Sequence, residues 1–153
     1  MKKYRIYLII VMCLFIVGCG NDSTRNVKTL EEFETTAINE GFEIKDTSQR
    51  YASASYIEEA MVAKYDEIEV EMIRYTTTDY AEQVQEQHID SFITLKSTGA
   101  TAEKEKGSNY YDFALISNGR YMVTTRVDNT LIFAKVLVEE REIVDNLINL
   151  MGY

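Results

Sequence analysis

The stretch that decides the fold is YDFALISNGRYMVTTRV, residues 111–127, in which two runs of strand-forming residues flank Asn118-Gly119. A two-residue type I′ turn needs positive φ at both central positions, and Asn-Gly supplies it readily. Asp128-Asn129 then turns the chain into another apolar run, TLIFAKVLV. The stretch therefore predicts an antiparallel meander of three strands.

Ahead of the meander, the sequence predicts a helix followed by short strands. Thr29 and Glu32 have the spacing of a capping box, and apolar residues at helical spacing continue to about residue 40. Gly41 offers a stop for this helix. The strands that are predicted from alternating apolar and polar residues cover 41–46, 56–65 and 68–75.

The run IEVEM shows that alternation most clearly. Ile68, Val70 and Met72 point to one side of the strand, and Glu69 and Glu71 point to the other. We therefore expect one face of this part of the sheet to be core and the other to be solvated.

A second helix is expected to begin at Thr78 or Asp79 and to end near Lys96. Residues 96–108, KSTGATAEKEKGS, have almost no apolar side chains, and we expect them to form a mobile connecting loop. The residues expected on the inward stripe of the second helix are Tyr80, Val84, His88, Phe92 and Leu95.

A third helix is expected to open at Glu139 and Glu140, with Gly152 as a left-handed cap and Tyr153 folding back on the last turn. Its predicted inward residues are Ile143, Leu147, Leu150 and Met151. The predicted fold class is α+β, in the order α-β-β-β-α-β-β-β-α, with an antiparallel sheet and the helices packed on one face.

The start of the chain has the pattern of a secretory signal peptide. Lys2, Lys3 and Arg5 precede an uncharged run from Ile6 to Val17. A membrane-spanning helix needs about 20 apolar residues, so this run is short for one, and an uncleaved anchor is the alternative interpretation.

The tetrapeptide Ile16-Val17-Gly18-Cys19 resembles the lipobox of bacterial lipoproteins. The resemblance implies transfer of diacylglycerol to the Cys19 sulfur, cleavage before that residue, and a lipid anchor in the cell membrane on the side away from the cytoplasm. Two acyl chains anchor a protein stably, whereas one does so only marginally. The alternative is that Cys19 is a small buried residue of a helix.

These features divide the chain into a signal peptide (1–18), a lipidated cysteine with a flexible tether (19–28) and a single α+β domain (29–153). The tether, GNDSTRNVK after Cys19, is polar and has no periodicity. Cys13 would leave with the signal peptide, so the mature domain would have no disulfide and would depend on its core.

The chain has 16 basic and 25 acidic residues, a net charge of −9. Loss of the three basic residues of the signal peptide would leave 13 basic residues and a net charge of −12. Such a field repels phosphate backbones and anionic headgroups, so we expect no nucleic-acid partner and no flat electrostatic binding to membranes. The membrane is expected to be a partner through the lipid on Cys19.

The sequence predicts no catalytic residue, no metal ligand and no cofactor. Motifs for serine nucleophiles and for binding of nucleotide phosphates are absent. His88 is the only histidine, so a His-rich zinc site cannot be assembled, and we expect His88 to be a core or boundary residue.

The candidate interaction surface consists of tyrosines and strand carboxylates, namely Tyr110, Tyr111, Tyr121, Glu69 and Glu71. The predicted function is a non-catalytic binding module for an envelope protein or glycan. One alternative is an envelope hydrolase using carboxylates such as Glu69 and Glu71. Another is a small inhibitor or immunity-type lipoprotein.

A wider resemblance covers most of the mature chain. The lipobox, the short domain and the closing DNTLIFAKV and NLINLMGY segments look like the small single-domain lipoproteins of Gram-positive bacteria that have no assigned function. This resemblance implies a location at the cell surface and implies no activity.

Overall fold

The computed structural model describes residues 23–153, so the predicted signal peptide and Cys19 lie outside the described residues. The described chain folds around one seven-stranded antiparallel sheet in the order β1-β2-β3-β7-β6-β5-β4. Its elements are α1 (Leu30–Asn39), β1 (Glu43–Asp46), β2 (Ile57–Tyr65), β3 (Ile68–Tyr75), α2 (Thr78–Thr94), β4 (Thr101–Lys106), β5 (Tyr110–Ser117), β6 (Arg120–Val127), β7 (Thr130–Leu137) and α3 (Arg141–Met151), with 3-10 turns at Ser48–Tyr51 and Val138–Glu140. None of the helices in this part of the chain is long and apolar enough to cross a bilayer.

The α+β class and the order of the predicted elements are confirmed. Asn118 and Gly119 have φ angles of 51° and 70°, as a type I′ turn requires. Ser117 pairs with Arg120 across the turn, which sets the register of β5 against β6. The capping box of Thr29 and Glu32 is also present at the start of α1.

The prediction of a loop over 96–108 is wrong for residues 101–106, which form the edge strand β4. Every residue of β4 is exposed, so the strand has no apolar face. Its sequence therefore lacks the alternation of apolar and polar residues by which a strand is predicted. Its backbone pairs along its whole length with β5. Alternating lysine and glutamate side chains on an exposed edge discourage pairing with other chains.

The prediction that the helices pack on one face is wrong, because α2 lies on the other face from α1 and α3. Tyr121 and Val123 of β6 pack with α1 and α3. Their neighbour Met122 points the other way and packs with Phe92 of α2. Because successive residues of a strand face opposite sides, a strand that is apolar on both sides needs cover on both. We call the two sides the α1–α3 face and the α2 face.

The predicted helix stripes are partly wrong. Tyr80 and Leu95 are exposed, and the buried residues of α2 are Ala81, Gln85, Ile89 and Phe92. The stripe shifts because Gln85 is the residue that reaches polar groups of the sheet, donating to the Tyr111 carbonyl at 2.6 Å. In α3, Ile143 and Leu150 are exposed, and the buried residues are Val144, Leu147, Ile148 and Met151.

The expected left-handed cap of α3 and the fold-back of the last residue are confirmed. Gly152 has a φ angle of 78° and caps α3 in the left-handed conformation. Tyr153 folds back, is buried, and shares a hydrogen bond with the hydroxyl of Thr130 on β7. This contact fixes the C-terminal end of α3 against the α1–α3 face.

Candidate functional site

A groove of about 310 Å³ lies on the α1–α3 face, between α3 and strands β4, β5 and β6. Phe113, Ala114, Val123 and Ile148 form the aliphatic and phenyl part of its lining. The carboxylates that line it are Glu103, Glu105, Asp112 and Asp145. The groove therefore combines an apolar floor with acidic walls.

At one end of the groove, Arg141 on the first turn of α3 holds two carboxylates. Its Nε lies 2.9 Å from Asp145 Oδ2, and its Nη2 lies 3.1 Å from Glu103 Oε2. The guanidinium also lies 5.0 Å from the ring centroid of Tyr121. The Tyr121 hydroxyl donates to Asp145 at 2.5 Å, and burial together with this hydrogen bond raises the pKa of Tyr121.

At the other end, Arg25 makes a similar cluster. Its Nη2 lies 2.7 Å from Asp112 Oδ2 and 3.7 Å from Glu105 Oε2. The guanidinium lies 3.8 Å from the ring centroid of Tyr110, whose hydroxyl donates to Glu105 at 2.7 Å. Thr125 donates a hydrogen bond to the second oxygen of Asp112. Two clusters of arginine, tyrosine and carboxylates therefore close the two ends of the groove.

Arg25 belongs to residues 23–28, which we call the strap, and which lie along the domain. The Arg25 amide donates to Asn109 Oδ1 at 2.9 Å, and the Asn109 side-chain amide donates back to the Arg25 carbonyl at 2.8 Å. The Ser23 hydroxyl lies 2.9 Å from the Tyr110 hydroxyl. Two residues of the predicted tether, Ser23 and Arg25, therefore bond to the turn between β4 and β5 and to Tyr110, while the tether as a whole stays a prediction.

Gly107 allows this close approach. A Cβ on Gly107 would lie 2.1 Å from a ring carbon of Tyr110 and 2.4 Å from the Ser23 carbonyl oxygen. No side chain larger than hydrogen fits there without displacing both of them.

The predicted interaction surface does not exist as one patch. Tyr110 and Tyr121 are buried at the two ends of the groove. By strand alternation, Tyr111, Glu69 and Glu71 lie on the α2 face. Of the five predicted residues, Tyr121 lines the groove, and Tyr110 lies next to it, bonded to the lining residue Glu105.

Glu71 also corrects the prediction of a solvated face, since only 8% of it is exposed. It accepts hydrogen bonds from the Tyr51 hydroxyl at 2.9 Å and from the Thr47 hydroxyl at 3.2 Å. Burial and the charge of Glu71 raise the pKa of Tyr51 to about 12. Glu69 is exposed and lies 3.5 Å from Lys64, so the two glutamates have different surroundings and neither lines the groove.

His88 lies outside the groove, half-buried on α2. Its ring centroid is 4.3 Å from that of Phe133 and 6.2 Å from that of Phe92. Burial lowers the pKa of His88. This placement is that of a boundary residue packed on aromatic rings.

Sequence reasoning missed most of the groove residues. Arg141 and Asp145 have the i,i+4 spacing of a helical ion pair, which was a visible signal. No sequence signal marks the other charged residues of the site, because they come from segments that only tertiary folding brings together. These residues are Arg25, Glu103, Glu105 and Asp112.

The groove is suited to recognition by charge and shape. Four carboxylates line it together with Arg141 and Lys104, and Arg25 pairs with two of those carboxylates, so an excess of one negative charge remains beside an apolar floor. Among residues 23–153, no group of three or more His, Cys, Asp or Glu side chains is arranged to hold a metal ion.

Comparison with known proteins adds no further information. No protein-family model matches the chain, and neither a curated protein nor a solved structure matches it.

Proposed function

We propose that the protein is a lipid-anchored binding module on the extracytoplasmic side of the cell membrane. The lipobox-like Ile16-Val17-Gly18-Cys19 segment supports the anchor. The groove supports the binding role, because its polar groups are oriented by hydrogen bonds and ion pairs that preform the walls.

The observation that carries the binding role is the excess of carboxylates along an apolar groove. Glu103 and Glu105 have side chains that are 60% and 65% exposed, so they remain accessible to a ligand. An ammonium or guanidinium group gains charge-assisted hydrogen bonds from such carboxylates, and an attached apolar chain can cover the floor. The ligand is therefore a basic segment of an envelope protein or an amino-bearing envelope glycan.

A photoreactive residue in the groove tests this proposal on intact cells. Asn149 is exposed and lines the groove, and it is the position for the reactive group. Asn146 is the matched control, because it is exposed on the same helix and bonds to Glu40 outside the groove at 2.8 Å. The affinity tag belongs in the open loop at Gly99, since Tyr153 at the C-terminus is buried.

We expect one specific adduct from the Asn149 position and none from the Asn146 position. Glu103→Gln is expected to reduce that adduct, because it removes a charge that a basic ligand would contact. Identical adducts from both positions would contradict binding in the groove. The anchor is checked separately by intact mass, which should show a diacylglycerol adduct that Cys19→Ser lacks.

A further inference from the structure

One end of the sheet, which we call the strap end, contacts Ser23, the first residue of the strap. Ser23 accepts a hydrogen bond from the Ser108 amide at 3.1 Å in the turn between β4 and β5. The Asp128 amide bonds to the same turn at 2.8 Å. The Asn129 side chain donates to the Tyr75 carbonyl at 2.7 Å. The end of β3 and the turns of two hairpins therefore lie at the same end of the sheet as Ser23.

The strap end exposes aromatic and apolar side chains. Tyr56 and Tyr80 are 38% and 43% exposed, and their ring centroids are 5.3 Å apart. The Thr76 amide, directly after β3, donates to the Tyr56 carbonyl at 3.0 Å, which places this pair at the strap end. Val27 of the strap is also exposed. Tyrosine has an apolar ring and a polar hydroxyl, and it is enriched where proteins meet the headgroup layer of a membrane.

The opposite end of the sheet carries a concentration of exposed acidic residues. Glu40 follows α1, Asp66 and Glu67 form the turn between β2 and β3, and Glu139 precedes α3. An anionic membrane surface repels such a group of carboxylates. Because Glu58 and Asp79 are exposed beside Tyr56 and Tyr80, acidic charge alone does not orient the domain, and the short chain between Cys19 and Ser23 decides which end faces the membrane.

The covalent path to the lipid is short. Residues 19–22 separate Cys19 from the docked Ser23, and four residues span at most ~14 Å even when fully extended. The eight residues of β6 put the two ends of the sheet about 26 Å apart. A lipid on Cys19 would therefore hold the strap end close to the bilayer and leave the acidic end far from it.

We propose that the strap end, with Tyr56 and Tyr80, rests in the headgroup layer of the membrane. This inference rests on the proposed lipid anchor at Cys19. The strap holds the domain in this orientation, because Arg25 is fixed by Asp112 and by the face of Tyr110. The groove then runs from the membrane, at Arg25 and Tyr153, to its outer end at Arg141.

Single-tryptophan variants of the full-length lipoprotein test the orientation, since the chain has no tryptophan of its own. Tyr56→Trp and Tyr80→Trp report on the strap end. Tyr65→Trp is the matched control, because Tyr65 is 41% exposed at the acidic end. Each lipidated variant is reconstituted in phosphatidylcholine–phosphatidylglycerol vesicles that contain a headgroup-attached spin-label quencher.

We expect quenching at the two strap-end positions to be about twofold or more greater than at Tyr65→Trp, because the ends are separated by the length of a strand. Arg25→Ala is expected to reduce this difference by loosening the strap. Equal quenching at all three positions in protein that floats with the vesicles would overturn the orientation and leave the anchor intact. Protein whose mass shows no lipid would overturn the anchor and this inference with it.

Discussion

At the scale of single residues, Gly107 decides whether the strap can dock. Its neighbours leave no space for a Cβ, since the Tyr110 ring and the Ser23 carbonyl would both lie well inside contact distance. The two hydrogen bonds between Arg25 and Asn109 depend on that approach. A glycine in a segment that sequence alone assigns to a loop is thus a packing requirement.

We predict that Gly107→Ala releases the strap while the domain stays folded. Hydrogen exchange of the Arg25 amide should become faster, because its bond to Asn109 is lost when Ser23 and Tyr110 move apart. The control is Ser108→Ala, next in the chain, whose exposed side chain has no close packing. Unchanged protection of the Arg25 amide in Gly107→Ala would contradict the role given to the glycine.

A second prediction concerns His88 and pH. Burial holds the pKa of His88 below the 6.5 of an exposed histidine, so the unfolded chain takes up a proton before the folded chain does. The free energy of unfolding should therefore be at its full value above about pH 7 and should fall as the pH drops below that point. Urea unfolding across this range is the measurement.

His88→Gln should flatten the curve in this window. Glu32 and Asp46 have pKa values lowered from 4.5 and 3.8, so the stability they contribute is lost only at more acidic pH. The loss of stability caused by His88 is therefore separable by pH from the loss caused by these two carboxylates. A decline between neutral and mildly acidic pH that is identical in His88→Gln would show that another group titrates there.

At the scale of elements, α2 shows how one buried polar pair positions a helix. Arg126 on β6 is 5% exposed and points to the α2 face. Its Nε donates to Gln85 Oε1 at 3.3 Å, and its Nη2 lies 2.9 Å from Glu82. Helical periodicity in α2 favours the neighbouring stripe through Val84 and His88, and the buried arginine is the reason that the helix faces Gln85 inward instead.

We predict that Gln85→Leu destabilises the protein by about 2 kcal/mol, because it leaves buried polar groups of the sheet without a partner. Those groups include the Tyr111 carbonyl and the Arg126 guanidinium. Gln83→Leu makes the same chemical change on the exposed side of α2 and should cost less than about 0.5 kcal/mol. Urea unfolding measures both, and equal effects of the two substitutions would refute the buried role of Gln85.

At the scale of the whole molecule, one sheet has a hydrophobic core on each face, and the core on the α2 face is divided into two clusters. The strands β3, β6 and β7 lie in the middle of the sheet and carry buried residues on both sides. The edge strand β4 is exposed throughout and is paired with one neighbour. Protection of the backbone amides from hydrogen exchange should therefore be highest in the central strands and should decrease toward the β4 edge.

We predict that amide exchange follows this order. The amides of β6 and β7 should exchange only on global unfolding, those of β4 by local opening, and those of the loop 96–100 fastest. Mass-spectrometric hydrogen exchange resolves the three segments. Exchange in β4 as fast as in the loop would contradict the strand at 101–106, and exchange as slow as in β6 would contradict its exposed edge position.

The sequence by itself determined the elements whose signals are local. The Asn118-Gly119 turn, the Thr29 and Glu32 capping box and the Gly152 cap each depend on residues adjacent in the chain, so they were predictable. Alternation within β3 also predicted which residues share a side. These signals were sufficient for the α+β class and for the order of the elements.

Only the tertiary structure decided what covers each face and which charges meet. The chain pattern does not say that α2 crosses to the other face, that β4 pairs without an apolar side, or that Glu71 is buried beneath Tyr51. The groove depends on the same kind of contact, since Arg25 and Asp112 are far apart in the chain and meet at 2.7 Å. Contacts between distant segments depend on the packing of all the layers at once, so no local pattern encodes them.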